Sequence, residues 1–217
     1  MKHSLEEIGR IREEYSKKSL RKEDVDPDPF RQFEVWFNEA LESESGVPNA
    51  LTLSTVSPDG QPNARVILLK GFSEEGFTFF TNYSSLKGNE LEANPKAHIL
   101  FFWDELQRQI RIEGLVSKVS REESVEYFQS RPRGSQVGGI ASAQSSVIAN
   151  REVLEEESAR IDQQFASEEK LPCPESWGGY LLLPNKFEFW QGRVNRLHDR
   201  IVYERKDSGW VISRLAP

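Results

Sequence analysis

The chain has 217 residues, of which 37% are hydrophobic, 11% aromatic and 29% charged; that is enough apolar material for a packed core and too much Phe and Trp for a disordered chain. Its 28 basic and 35 acidic side chains leave a net charge of -7, which argues against a nucleic-acid partner held by general phosphate attraction. Cys173 is the single cysteine, and His3, His98 and His198 are scattered, so one chain offers no intrachain disulfide, no Cys-rich metal site and no multi-histidine metal centre.

No segment approaches the roughly 18 consecutive apolar residues of a membrane span. Glu6, Glu7, Glu13 and Glu14 stand where a signal peptide would be apolar, so a cytoplasmic protein with no membrane partner is expected. The length favours one domain over residues 1–217, with a helical arm at 1–26 and closing strands from about 178 to 217.

Ser4 and Glu7 have capping-box spacing, and Leu5, Ile8, Ile11 and Tyr15 form one stripe, which predicts an amphipathic helix over 4–16. A second helix is expected from Asp28-Pro29, cap then first-turn proline, carrying Phe30, Phe33, Phe37 and Leu41 inward and stopping before Gly46-Val47-Pro48. From Ala50 the period changes to two: ALTLSTVS, the turn PDGQP and NARVILLK read as a hairpin about Asp59-Gly60. GFTFFT, AHILFFW and QRQIRIEGLVSKV continue the strands around a polar helical insert near 84–93, and Gly114 is read as a bulge where the buried face switches.

Ser120 and Glu123 predict a further helix ending near Arg131-Pro132. RPRGSQVGGIASAQSS reads as too rich in Gly and Ser for a plain core element, residues 151–169 as a long acidic helix, and YLLLP, KFEFWQG, RIVYER and WVISRL as closing strands. About eight strands without regular βαβ alternation favour a mainly β chain with inserted helices (α+β), closed as an antiparallel barrel.

Three stretches can carry chemistry. In EFWQGRVNRLHDR (188–200), a regular strand would set Arg196, His198 and Arg200 on one face, where they repel unless an anion or carboxylates neutralise them. The alternative is an edge strand paired with the acidic helix 151–169. In YFQSRPRGSQ, Arg131, Arg133 and Ser135 at a helix exit can make a compact anion site, or an ordinary solvated one. Arg65 and Lys70 lie an odd number of residues apart, so on one unbroken strand they face opposite sides and serve different partners, unless a bulge intervenes. No phosphate-loop, dinucleotide or nucleophile-elbow motif is present.

Taken in order, Arg12 to Tyr15, RVILLK (65–70), FFTNYSSLKG (79–88), QIRIEG (109–114), EYFQSRPRGSQ (126–136), QSS (144–146), FWQGRVNRLHDR (189–200) and the ending WVISRLAP resemble the pyridoxamine 5'-phosphate oxidase family over almost the whole chain. The resemblance implies an FMN-binding split barrel, a homodimer with FMN at the subunit interface, and oxidation of pyridoxine or pyridoxamine 5'-phosphate by O2. It implies that Arg65 and Lys87 hold the FMN phosphate with Thr81, Gln144 and Ser145, that Val66, Ile67, Leu68, Leu69, Lys70 and Phe80 complete that cofactor stretch, and that Gln109, Trp190 and Arg200 meet the rest of the flavin. Lys70, Tyr127, Arg131 and Ser135 then bind the substrate phosphate, Arg196 and His198 are the catalytic pair at the pyridine ring, and Arg12 and Tyr15 close the mouth. Leu86 departs from the family in standing where many relatives carry a basic residue. The other readings are a flavin reductase or FMN carrier on the same fold, and a non-enzymatic pyridoxal phosphate carrier.

Overall fold

The computed structural model describes residues 15–43 and 46–217. Of the helix expected over 4–16 only Tyr15 and Ser16 are described, and Arg12 lies outside the described residues. The described chain runs α1 (Pro29–Glu42), β1 (Ala50–Val56), β2 (Pro62–Leu68), β3 (Gly71–Ser73), β4 (Gly76–Asn82), α2 (Leu86–Ala93), β5 (Lys96–Trp103), β6 (Arg108–Lys118), α3 (Arg121–Ser130), α4 (Arg133–Ala141), α5 (Glu152–Gln164), β7 (Trp177–Gln191), β8 (Asp199–Lys206) and β9 (Gly209–Leu215). The strands form one sheet in the order β2-β1-β5-β6-β7-β4-β3, with β8 on β7 and β9 on β8. The ladders β1/β2, β3/β4, β4/β7, β7/β8 and β8/β9 are all antiparallel. The two closing strands expected at YLLLP and KFEFWQG are one strand of 15 residues, β7.

The chain divides into two compact units. The first holds the described residues up to Pro48, Leu100–Ile112 and Lys186–Pro217. Its helix α1 is capped by Asp28, whose carboxylate accepts the Phe30 N–H at 2.8 Å, with Pro29 opening the helix. The buried stripe is Phe30, Phe33, Trp36 and Ala40, meeting Phe187, Phe101 and Phe189 with ring centroids 5.2–5.3 Å apart. Leu41, expected inward, is 56% exposed because the apolar stripe follows Trp36 and Ala40 instead. Arg108 is buried over the Trp36 ring at 4.2 Å, giving its hydrogen bonds to Gln191 at 2.9 Å and Glu39 at 2.8 Å; a buried guanidinium needs these partners to offset its desolvation.

The second unit holds Asn49–Ile99 and Glu113–Asn185. The β1/β2 hairpin pairs Leu53 with Arg65 and Thr55 with Asn63, and Gly60 supplies the turn's left-handed residue at φ +89°. The burial of β6 alternates through Gly114 without changing phase, so the expected switch is absent. Glycine stands there because a Cβ would lie 2.2 Å from the Leu183 carbonyl oxygen.

Ser120 caps α3 as expected, accepting the Glu123 N–H at 3.0 Å. The Gly- and Ser-rich segment after it is helical: α4 buries Val137 among Phe128, Ile161, Leu171 and Trp177. Its Gln136 amide ties distant backbone together, accepting the Leu171 N–H at 2.9 Å and donating to the Arg131 carbonyl at 2.8 Å. Tertiary packing overrides the weak helix propensity of its three glycines.

Candidate active site

The second unit contains a cavity of about 650 Å³ whose lining includes Arg65, Val66, Ile67 and Leu68 from β2, Lys70 from the link to β3, and Phe80 and Thr81 from β4. β2 ends at Leu68, so the opposite-face expectation for Arg65 and Lys70 fails where the strand does, and both line this one cavity. Lys87, Tyr127, Arg131, Ser135, Gln144 and Trp177 complete the part of the lining that matters chemically. Leu69 is buried at 5% exposure and outside the lining, its N–H held by the Asn49 carbonyl at 2.8 Å. Ser145 follows Gln144 at φ +73° and is likewise outside the lining.

One group of donors surrounds Lys87. Ser85 caps α2 and places Lys87 in its first turn, and a Cβ on Gly88 would come within 2.1 Å of the Tyr83 carbonyl oxygen, so that turn lies hard against the backbone before it. The Lys87 ammonium donates to Gln144 at 2.7 Å and Thr81 at 3.2 Å, and the Thr81 hydroxyl reaches the same Gln144 oxygen at 3.1 Å. Burial, then the positive charge of Arg65, push the Lys87 pKa below the ordinary lysine value, while Glu90 acts against both. Arg65 donates to the Thr55 hydroxyl at 2.5 Å, the Leu53 carbonyl at 3.3 Å and the Glu90 carboxylate at 3.2 Å.

A second group is built at the junction of α3 and α4. Arg131 is the last cap of α3, and its guanidinium lies 4.8 Å from the Trp177 ring centroid and 5.4 Å from that of Phe128. Tyr127, one turn back, stacks on Phe80 at 4.0 Å. Arg131 Nη1 is buried with no hydrogen-bond partner, and burial lowers the pKa of the group. A buried N–H left unbonded is costly, so this donor marks a place built for an acceptor brought from outside. Arg133 does not join it: its guanidinium binds Asp162 at 2.7 Å and the carbonyls of Phe165 and Glu168 at 2.9 and 2.6 Å, fastening the end of α5.

The remaining expected residues belong to the first unit. Trp190 and His198 stack obliquely at 4.6 Å, and Tyr15 meets them edge-on at 5.8 and 6.0 Å. Gly192 makes room for Tyr15, since a Cβ there would sit 2.7 Å from it. The segment after Tyr15 is fastened by its backbone: Ser16 N–H donates to Gln107 at 3.0 Å and Leu20 N–H to Asp199 at 3.0 Å. Gln109 is half-buried on β6.

Arg196 and His198 are not on a regular strand. A 3-10 turn spans Val194–Arg196, with Asn195 and Arg196 both left-handed at φ +57° and +59°, and β8 begins only at Asp199; two such non-glycine residues in succession are strained. Arg196 is exposed. His198 Nδ1 accepts the Arg193 N–H at 3.1 Å, which assigns the ring proton of the neutral form to Nε2. Burial, then the Arg196 charge, lower the His198 pKa, with Asp199 opposing. Nor do these basic residues pair with the acidic helix: Arg200 binds Glu188 at 2.8 Å, and Asp199 receives Arg214 at 2.6 Å.

Sequence reasoning passed over Glu90 and Glu188. Glu90 follows Lys87 by three residues on α2 and was read as part of a polar insert, yet it is 1% exposed. A carboxylate one turn after an expected phosphate-binding lysine was the available signal. Glu188, 4% exposed, takes Arg200 and also Arg111 at 3.2 Å.

The donor set of the large cavity suits an organic phosphate: two cations and several neutral donors near one end, an unbonded arginine N–H and aromatic faces near Tyr127. Among the described residues no cluster of His, Cys, Asp or Glu could hold a metal ion, and no helix is long and apolar enough to cross a membrane.

Comparison with known proteins agrees with this chemistry. Residues 37–165 match the family model described as pyridoxamine 5'-phosphate oxidase, and residues 177–217 match that of the pyridoxine 5'-phosphate oxidase C-terminal dimerisation region. The chain is 53% identical over 213 residues to a pyridoxine/pyridoxamine 5'-phosphate oxidase of Burkholderia mallei, covering 97% of this chain and 99% of the relative. It is 54% identical over 211 residues to pyridoxine/pyridoxamine 5'-phosphate oxidase 1 of Ralstonia nicotianae, with the same coverage. Among solved structures it is similar to PhzG from Burkholderia lata in complex with tetrahydrophenazine-1-carboxylic acid, at TM-score 0.86 and 31% identity over 93% of this chain and 100% of that one. An FMN-binding protein related to pyridoxamine 5'-phosphate oxidase from Nostoc punctiforme, 19% identical, shares the fold at TM-score 0.69 over 88% of this chain and 98% of that one. The sheet with its inserted helices is thus an antiparallel split barrel, as expected.

Proposed function

Given that this chain belongs to the pyridoxamine 5'-phosphate oxidase family, we propose that it oxidises pyridoxamine or pyridoxine 5'-phosphate to pyridoxal 5'-phosphate with FMN and O2. The amine, water and O2 give the aldehyde, ammonia and hydrogen peroxide; the alcohol gives the aldehyde and peroxide. The observation that carries the reading is the unbonded, buried Arg131 N–H in the same cavity as the Arg65 and Lys87 cations. Two phosphorylated ligands need two anion sites, and a single cavity holds both sets of donors.

In this reading bound FMN would supply the two-electron redox chemistry between oxygen and the substrate carbon bearing the amine or alcohol. The chain's own residues bind and orient. Arg65, Lys87, Thr81 and Gln144 hold the cofactor phosphate, with Val66, Ile67, Leu68 and Phe80 forming the rest of that stretch, while Ser145 and Leu69 are only their chain neighbours outside the lining. Lys70, Tyr127, Arg131 and Ser135 hold the substrate phosphate, which fixes the reacting carbon by a handle remote from it. Gln109, Trp190 and Arg200 meet the flavin, and a homodimer carries it at the subunit interface. Residues 177–217 match a dimerisation region, which supports that assembly.

Arg196 and His198 are assigned to the pyridine ring, with Arg12 and Tyr15 at the mouth. Since His198 Nδ1 already accepts a backbone N–H, the neutral ring offers Nε2–H as a donor. It therefore orients substrate rather than removing a proton. Arg196, a poor base by its chemistry, orients the ring and supplies positive charge.

Testing the reaction requires purified protein loaded with FMN, given pyridoxamine 5'-phosphate in air while aldehyde and peroxide are followed together. Equal yields of both are expected. A protein that takes up no FMN, or forms neither product, removes the reading. The Burkholderia lata protein is in complex with a tetrahydrophenazine carboxylic acid, which has no phosphate, so pyridoxamine without its phosphate is the informative control; it is expected to be a poor substrate.

A further inference from the structure

One buried carboxylate that is not in the cavity lining but bonds to the lining residue Arg65 has no part in the chemistry above. Glu90 lies on α2 at 1% exposure, and its two oxygens receive the Thr55 hydroxyl at 2.5 Å, the Asn63 amide at 2.5 Å and the Arg65 guanidinium at 3.2 Å. Thr55 closes the ring by accepting from Arg65 at 2.5 Å. A carboxylate beside a site for a dianion weakens the attraction that site exerts, so it must do something that outweighs this. Arg65 and Lys87 are like charges in a partly buried wall, bonded otherwise to neutral oxygens, and Glu90 is the carboxylate that faces them; the Lys87 ammonium is pushed toward its neutral form by burial and by Arg65, with Glu90 acting the other way. An unrestrained arginine also has many rotamers to lose on binding.

We propose that Glu90 is a positioning residue for the phosphate of the flavin: through Thr55 and Asn63 it is itself fixed, and it holds the Arg65 guanidinium beside Lys87 before the cofactor arrives. The proposal rests on the reading of this cavity as a flavin phosphate site. With Glu90 the group of two cations and one carboxylate carries a single net positive charge, which keeps both cations in place without a ligand. The phosphate then meets donors already set, and the gain falls on that part of the ligand alone.

The test is a comparison of FMN with riboflavin, which lacks the phosphate. Flavin-stripped protein is titrated with each, and binding is read from quenching of flavin fluorescence. Wild-type protein is expected to prefer FMN strongly. In Glu90→Gln the preference should fall about tenfold or more, the equivalent of one charge-assisted hydrogen bond, with riboflavin affinity unchanged. An unchanged FMN preference in Glu90→Gln overturns the role of Glu90 while leaving the flavin site standing. A wild-type protein that binds both flavins equally, or neither, overturns the site itself. Should Glu90→Gln fail to fold, Glu90→Asp keeps the charge but draws the carboxylate away from Arg65; a lowered preference for FMN there supports the proposal and an undiminished one refutes it.

Discussion

Two arginines line the same cavity and are supported in opposite ways. Arg65 is held by a carboxylate, a hydroxyl and a carbonyl, whereas Arg131 lies against the faces of Trp177 and Phe128 with one N–H unbonded. The first is satisfied without any ligand. The second is desolvated and incomplete until an acceptor comes. In the proposed function the first serves a cofactor that stays and the second a substrate that must be caught and released at every turnover, and the contrast fits that division. Preset donors favour residence, while an exposed need for one acceptor favours selection of a phosphate-bearing ligand.

The difference can be broken most severely at Arg65. Arg65→Met should leave Glu90 buried without its cation, lowering stability by about 3 kcal/mol, and should abolish the preference for FMN; denaturant unfolding and flavin titration read the two effects. Arg131→Met should do the reverse. Removing a buried, unbonded donor should raise stability by about 1 kcal/mol, while KM for pyridoxamine 5'-phosphate rises about a hundredfold and FMN content stays as in wild type. A fall in stability at Arg131, or a loss of FMN there, would erase the distinction between the two arginines.

A smaller effect sharpens the contrast from the first unit. The folded-state pKa of His198 is depressed by burial and by Arg196, so the neutral ring is the favoured form. Its bond from the Arg193 N–H is complete above the ordinary histidine range and is lost as pH falls through the lowered value, because protonation removes the Nδ1 acceptor. Turnover should decline over that same acidic window. An NMR titration of the imidazole protons is expected to show a midpoint below that of a free histidine; a midpoint at or above it would disprove the assignment.

Much of the fold was readable because its causes are local. Asp28 before Pro29 and Ser120 before Glu123 make their caps with their own helices, and the β1/β2 hairpin follows from alternation about Asp59-Gly60. What was misread depends on distant partners. α4 is a helix because Gln136 binds Leu171 and Val137 packs on Ile161 and Trp177, none of which its Gly-rich stretch announces. Leu41 is exposed because the inward stripe is set by where Phe187, Phe101 and Phe189 lie. Spacing alone put Arg196, His198 and Arg200 on one strand face, and the left-handed pair Asn195-Arg196 breaks that strand.

The candidate site followed the same rule. Motif order named Arg65, Lys70, Thr81, Lys87, Tyr127, Arg131, Ser135 and Gln144, which one cavity brings together. It was silent on Glu90, whose role exists only through Thr55, Asn63 and Arg65 on other elements. The reading of the residues alone offered Arg133 for either an anion site or an ordinary helix exit, and that guanidinium is occupied at the end of α5.

The most direct measurement follows the visible absorbance of the FMN-loaded protein without oxygen as pyridoxamine 5'-phosphate is added, beside a second titration with pyridoxamine. Bleaching by the phosphorylated amine alone, with colour and peroxide returning on admission of air, is the result that the two-anion cavity predicts. Equal bleaching by both amines, or by neither, would contradict it.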